Sequence, residues 1–263
     1  MFPKLIQIGS FYIPTYGALV TTGVVLGLFL TIRLAARTGF TKEERGQMTN
    51  LIIYTIIGGV LGSKLLLIFG EFHYYMANPL ELIQVLRSGG VFYGGLLGAF
   101  VVAAWLFRKY KLSFYRVADV AAPHIAVGHA IGRLGCFSAG CCYGKACGLP
   151  IAVEFHNEFA HSVVGVPLNT PIYPTQLMSS LGLFIIFLVL RFYFWPRRKF
   201  QGQLIWLYVL IYSAFRFGIE FFRGDFVRGF VFNIISTSQF ISVILFLTAA
   251  IMLFRLSRRN RTL

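Results

Sequence analysis

The stretch DVAAPHIAVGHAIGRLGCFSAGCCYGKAC, Asp119–Cys147, begins as an apolar segment of membrane-spanning length yet carries Asp119, His124, His129 and Arg133. An ionisable side chain at membrane depth costs about 2.5–3.5 kcal/mol or more, so such a residue reads first as functional. Bland alternatives stand beside that reading. Asp119 can tie helices together near one interface, and either histidine can be a hydrogen-bonded core residue. For Arg133 the bland reading is weaker, because it lies between Gly132 and Gly135, where a backbone or ligand can come close. The glycines predict that the helix breaks at this glycine-rich turn, with Cys136, Cys141, Cys142 and Cys147 at its outer end and in the loop after it.

Composition places this stretch in a membrane. The chain has 263 residues, of which 57% are hydrophobic and only 13% charged. A soluble domain carries about twice that charged fraction. The formal charge of +15 does not point to nucleic acid, because the basic residues sit in short clusters at the ends of apolar runs. A helix needs about 20 apolar residues to cross the hydrocarbon. Seven segments qualify: Tyr16–Leu34, Asn50–Phe69, Val91–Phe107, Phe114–Gly135, Gln176–Trp195, Leu204–Phe221 and Ile234–Phe254. Tyr74–Arg87 reads as an amphipathic piece along the interface. The expected fold is an all-α polytopic membrane protein with seven transmembrane helices, residues 1–263 forming a single integral membrane domain. Met1–Ile13 lacks a long apolar core and a small-residue cleavage site, so no cleavable leader is expected.

Lysine and arginine set the orientation. The clusters after the first, third, fifth and seventh segments hold 16 of them, against 5 on the other side. The positive-inside rule then puts the N-terminus outside and the C-terminus in the cytoplasm. Lys64, Arg133, Arg216 and Glu220 accordingly fall in the outer half of the bilayer, with Tyr93 at the same level. Asp119 lies about 21 Å deeper than Arg133 at 1.5 Å per helical residue, too far to be its partner. Arg216, Glu220 and Arg223 are spaced to share one helical face. Two arginines around one glutamate leave a positive surplus that suits an anion, and the planar guanidinium fork fits phosphate oxygens. The alternative for this trio is an ion pair that only joins helices. For the many glycines in the second, third and fourth segments, close helix packing is the main reading. The cysteine spacing C-x4-CC-x4-C does not match a zinc ribbon. It reads first as disulfides in an oxidising exterior, second as a reactive thiol beside Arg133, third as a metal site.

Four segments in register resemble the prolipoprotein diacylglyceryl transferases of the bacterial inner membrane: YMANPLELIQVLRSGGVFYGGLLGA, GRLGCFSAGCCYG, YPTQL (Tyr173–Leu177) and FRFGIEFFR (Phe215–Arg223). The resemblance implies a multi-pass inner-membrane enzyme with no cofactor and no metal. It would move a diacylglyceryl group from phosphatidylglycerol, an anionic phospholipid, to the lipobox cysteine thiol of a prolipoprotein signal-peptide substrate. By position, Arg133 and Arg216 would hold the phosphate, Glu220 would orient them, and Arg223, Lys64 and His129 would add contacts to the lipid. Tyr93, before a Gly-Gly pair, is the candidate for aiding thiol deprotonation. Asp119 matches an acidic position of structural character. The signature also departs from the family's G-N-F-x-N-G-E: Cys136, Ala139 and Cys141 replace two asparagines and a glutamate, and Met178 and Ser179 replace a Tyr-Glu pair. Two further readings follow from those departures. One is a related phospholipid-dependent transferase in which Cys141 or Cys142 carries a covalent lipid. The other is a non-enzymatic lipid-binding or thiol-redox membrane protein on the same scaffold.

The orientation is testable directly. A reporter fused after Leu263 should be cytoplasmic, and a tag in the Asn157–Pro171 loop should be reachable by an impermeant reagent from outside intact cells.

Overall fold

A computed structural model of the chain describes residues 2–9, 11–82, 85, 90–225, 229–231 and 235–260. Among these, nine α-helices form: α1 (Thr15–Ala36), α2 (Lys42–Gly70), α3 (Phe72–Ala77), α4 (Phe92–Tyr110), α5 (Phe114–Ala139), α6 (Glu158–Val164), α7 (Thr175–Leu188), α8 (Gln203–Ile219) and α9 (Thr237–Arg259). Five stretches are long and apolar enough to cross a membrane: Thr15–Ala36, Lys42–Gly70, Thr175–Arg197, Gln203–Phe222 and Thr237–Arg259. Large apolar side chains face outward along these helices and α4, Phe69 being 72% exposed and Phe100 69%. In lipid such faces carry no desolvation cost, because hydrocarbon is as apolar as the side chains themselves. The chain falls into two compact units, Met1–Thr31 with Ala118–Leu263, and Ile32–Val117.

In the second unit, α2 begins eight residues before its apolar run. Thr41 accepts from the Glu44 amide at 3.1 Å while the Glu44 carboxylate accepts from the Thr41 amide at 2.8 Å, a reciprocal cap that holds two otherwise orphan donors. Glu44 also pairs with Arg116 at 2.9 Å. The glycines of α2 and α4 are in backbone contact: a Cβ on Gly62 would stand 2.4 Å from the Gly94 carbonyl, and one on Gly98 2.3 Å from that of Gly58. Lys64 donates its ammonium to the Val85 carbonyl at 2.7 Å, and the Tyr93 side chain is exposed. The expected interfacial piece Tyr74–Arg87 is partly seen, as the end of α3 and a 3-10 turn at Pro79–Glu81. Residues 83, 84 and 86–89 lie outside the described residues, as does Ile234 at the expected start of the seventh span.

The first unit opens with the hairpin of β1 (Lys4–Ile8) and β2 (Phe11–Pro14) and contains the distinctive stretch. Here the structure corrects one expectation. α5 does not break at Gly132–Gly135 but runs on to Ala139 and ends at Gly140, which adopts a left-handed φ of 80°. Gly135 serves contact instead, since a Cβ there would lie 3.2 Å from the Tyr16 carbonyl of α1. Cys136 is therefore a helical residue one turn beyond Arg133. The segment between α5 and α7 folds on its own small core of Phe155, Ala160, Val166 and Ile172, against which Phe137 and Tyr143 pack.

Asp119 has the structural role. It is buried, and its carboxylate accepts from the amides of Gly202 (2.7 Å), Leu204 (2.9 Å) and Ile205 (3.0 Å) at the start of α8. Those are amides a helix N-terminus leaves without partners, and the helix dipole favours a negative charge there. His124 is likewise buried, its Nδ1 lying 2.9 Å from the Val120 carbonyl and 3.3 Å from Thr31 Oγ1. Asp119→Ala should lower stability by about 1–3 kcal/mol, because buried amides lose their acceptor. Asp119→Asn, which keeps one acceptor oxygen, should lose less. Thermal unfolding of both variants in detergent measures the difference.

Candidate active site

Three arginines of the first unit come within electrostatic range of one another: Arg133 on α5, Arg216 on α8, and Arg223 beyond the end of α8. Each is held differently. Arg133 donates its Nε to His129 Nε2 at 3.3 Å, one turn earlier on the same helix, and the His129 ring packs against Tyr212 at 5.4 Å between centroids. Arg216 forms an i,i+4 pair with buried Glu220 at 2.6 Å and donates to Ser238 Oγ of α9 at 2.8 Å. The sequence spacing of that pair is realised as read.

Arg223 is not. α8 stops at Ile219, a 3-10 turn covers Glu220–Phe222, and Arg223 is extended (φ −77°, ψ 141°). It thus leaves the helical face that Arg216 and Glu220 share. One edge of its guanidinium goes to Asp225: Nε donates to Oδ1 at 2.9 Å and the terminal nitrogen on the same edge donates to Oδ2. Arg223 nevertheless stays within range of the Glu220 charge, so both arginines lie around the glutamate, one of them paired with it. Arg216 pairs with Glu220 and Arg223 with Asp225, while Arg133 forms no ion pair among the described residues. Asp225 was missed because it lies past the helix end, where periodicity no longer predicts which side chains meet.

The placing of Arg223 depends on main chain. Gly144 bridges Arg223, the Lys145 amide donates to the Phe222 carbonyl at 2.9 Å, and the Gly224 amide donates to the Tyr143 carbonyl at 3.0 Å. The Tyr173 amide donates to the Lys145 carbonyl at 2.9 Å, so three chain segments meet at one point. Gly144 has no room for a side chain there: a Cβ would stand 2.3 Å from the Tyr173 carbonyl.

The same junction holds the cysteines. The Cys141 carbonyl accepts from Gln176 Nε2 at 2.9 Å and the Cys142 carbonyl from Thr175 Oγ1 at 2.8 Å. Thr175 and Gln176, from the YPTQL segment, are both buried in the first turn of α7. Cys142 is forced to a left-handed φ of 59°, uncommon for any residue with a Cβ. All four cysteines are free thiols, which departs from the disulfide expectation, and Cys147 is buried apart from the rest. The sulfurs of Cys136, Cys141 and Cys142 lie within 4.8 Å of one another. Hydrogen bonds from the Cys136 and Cys141 thiols hold the Cys142 thiol well below the ordinary thiol range; burial opposes this, and the charges of Arg223 and Arg133 add to it.

Residues 3–255 match the family model described as prolipoprotein diacylglyceryl transferase. The chain belongs to that family. A phosphatidylglycerol--prolipoprotein diacylglyceryl transferase of Clostridium tetani is 37% identical over 92% of this chain and 93% of its own length. One from Clostridium perfringens is 33% identical, covering 96% of this chain and 94% of the relative. A third, from Geobacter sulfurreducens, is 31% identical over 98% and 96%. Of the residues singled out from the diacylglyceryl transferase resemblance, Arg133, His129, Arg216, Glu220, Arg223, Cys136, Cys141 and Cys142 all belong to the first unit. Lys64 and Tyr93 belong to the second. Sequence reading assigned no role to Thr175, Gln176, Ser238 or Tyr212. The first two stood inside a quoted motif, whereas nothing local marked the others.

Gly144→Ala should cost about 1–3 kcal/mol, since its neighbours are main-chain atoms that cannot give way cheaply. Thermal unfolding in detergent reads the loss, and activity should fall with it because the junction that seats Arg223 is disturbed.

Proposed function

We propose that this protein transfers the diacylglyceryl group of phosphatidylglycerol to the lipobox cysteine thiol of a prolipoprotein, at the outer side of the bacterial inner membrane. The observation that carries the reading is the arginine cluster, in which Arg133 has no carboxylate partner among the described residues. Glu220 and Asp225 each neutralise one arginine, and His129 orients Arg133 without opposing its charge. A phosphodiester headgroup brings one negative charge to such a site, where the guanidinium forks can meet its oxygens in pairs.

The chemistry follows from that charge. The acceptor sulfur attacks the diacylglycerol carbon that carries the phosphate oxygen. A C–S bond forms as the C–O bond breaks, the electron pair leaves with glycerol phosphate, and the thiol proton passes to a base. The headgroup turns from a diester monoanion into a monoester that gains negative charge, and fixed guanidinium groups stabilise that gain without reorganising. The role of Tyr93 in taking the thiol proton, and of Lys64 in holding lipid, rests on the family resemblance. The seven-span arrangement with an outer N-terminus and cytoplasmic C-terminus rests on the seven apolar segments and the charge asymmetry, and the family resemblance agrees with it.

Incubation with labelled phosphatidylglycerol and a lipobox peptide, followed by mass spectrometry of peptide and protein, tests the reaction. A diacylglyceryl adduct on the peptide is expected. An adduct on a protein cysteine would replace this reading with the covalent one, and no adduct on either would leave only lipid binding. Arg216→Lys should lower transfer by roughly 100-fold with the fold intact, because lysine keeps the charge and loses the bidentate geometry. Wild-type turnover in that variant would remove Arg216 from the site.

A further inference from the structure

We propose that Cys136, Cys141 and Cys142 bind one zinc-class divalent cation through three thiolates and leave its fourth position to the acceptor thiol. The second half of the inference rests on the transferase reading above; the first does not. Residues distant in local geometry are gathered for it. Cys136 projects from the last full turn of α5, while Cys141 and Cys142 follow the reversal at Gly140. Their three sulfurs lie within 4.8 Å of one another. Tetrahedral zinc at 2.3 Å from each sulfur requires about 3.8 Å between sulfurs, so each pair closes by at most about 1 Å. Side-chain rotation supplies that without moving the main chain.

The loop is built to hold this geometry. Buried Thr175 and Gln176 fix the carbonyls of Cys142 and Cys141 from behind, and Cys142 is kept in a left-handed conformation that only a firmly held loop sustains. The buried Oε1 of the same Gln176 has no hydrogen-bond partner among the described residues. The three thiols already contact one another, and Cys141 Sγ adds a 3.8 Å contact to the Cys136 carbonyl. Arg133 and Arg223 set a positive field that favours thiolate over thiol, and thiolate is the form a metal binds.

Ligand count then indicates the kind of site. Structural zinc sites close with four protein ligands, whereas three leave a position for water or substrate. Among the described residues no histidine, carboxylate or further cysteine joins the three sulfurs, and Cys147 is bonded elsewhere, its sulfur 3.5 Å from the Leu149 amide. A thiol entering the open position would lose its proton to solvent on coordination. It would then present a thiolate nucleophile beside the arginines.

The test uses the full chain purified in detergent without chelator. Metal analysis should find about one zinc per chain, lost in Cys142→Ser and Cys136→Ser and retained in Cys147→Ser, with unchanged size-exclusion profiles. Cobalt replacement should give thiolate-to-cobalt charge-transfer bands. A lipobox peptide should intensify them, and the same peptide with alanine for its cysteine should not. A disulfide joining two of the three cysteines, or zinc undiminished in Cys142→Ser, overturns the site. Charge-transfer bands that ignore the thiol peptide overturn the acceptor position. Neither readout needs turnover, so failure is separable from failure of the proposed reaction. Zinc binding with the peptide response but no lipid transfer refutes the reaction alone, and lipid transfer by zinc-free protein refutes the metal's role alone.

Discussion

An ionised group among apolar helices has to be met by opposite charge or by oriented donors, and the first unit is arranged around that requirement. Asp119 is met by three amides at the start of α8. At the other end of the same helix Arg216 is met by Glu220 and Ser238, and past that end Arg223 is met by Asp225. α8 is thus anchored by charge at both ends, with its polar ends tied to α5 and α9. Breaking one partner away from such an arrangement leaves a buried charge uncompensated, which is costlier than the pair is stabilising.

Arg133 is the exception that gives the arrangement a use. Its neighbour is the imidazole of His129, a hydrogen-bond acceptor with no formal charge of its own when neutral. Among the described residues no carboxylate pairs with Arg133, and the neighbouring sulfurs of Cys142 and Cys136 are groups whose ionisation would offset its charge. In the membrane-enzyme family to which the chain belongs, an anionic lipid headgroup is the natural complement. The positioning is stiff, because the junction of Gly144, Tyr173 and Gly224 is made from main chain and leaves no room for side chains.

The cysteine loop shares that junction, so the positions of the cysteines and of Arg223 are mechanically linked. Thr175 and Gln176 seat the two adjacent cysteines, and the bridge between Gly144 and Arg223 seats the arginine only two residues further on. A substitution in the YPTQL segment would be felt at the thiols, and one at Gly224 at both. Three of the four motifs, GRLGCFSAGCCYG, YPTQL and FRFGIEFFR, thus meet within this unit.

By itself the sequence determined the apolar helices, the Arg216–Glu220 pair and the placing of Cys136 one turn from Arg133. Each depends on contacts three or four residues apart, which helical periodicity fixes locally. It also determined the family, since whole motifs in order survive without knowledge of their contacts. Only the tertiary structure decided the rest. The cap of Asp119 on α8 joins positions 83 residues apart. The Arg223–Asp225 pair exists because α8 ends at Ile219, and that end is stabilised by backbone bonds to a loop about 80 residues earlier in the chain. The continuation of α5 past Gly135 to Ala139 went unread because glycine disfavours a helix only weakly, by about 1 kcal/mol. Close contact with Tyr16 outweighs that cost, and the resulting extra turn is what brings the first cysteine to the other two.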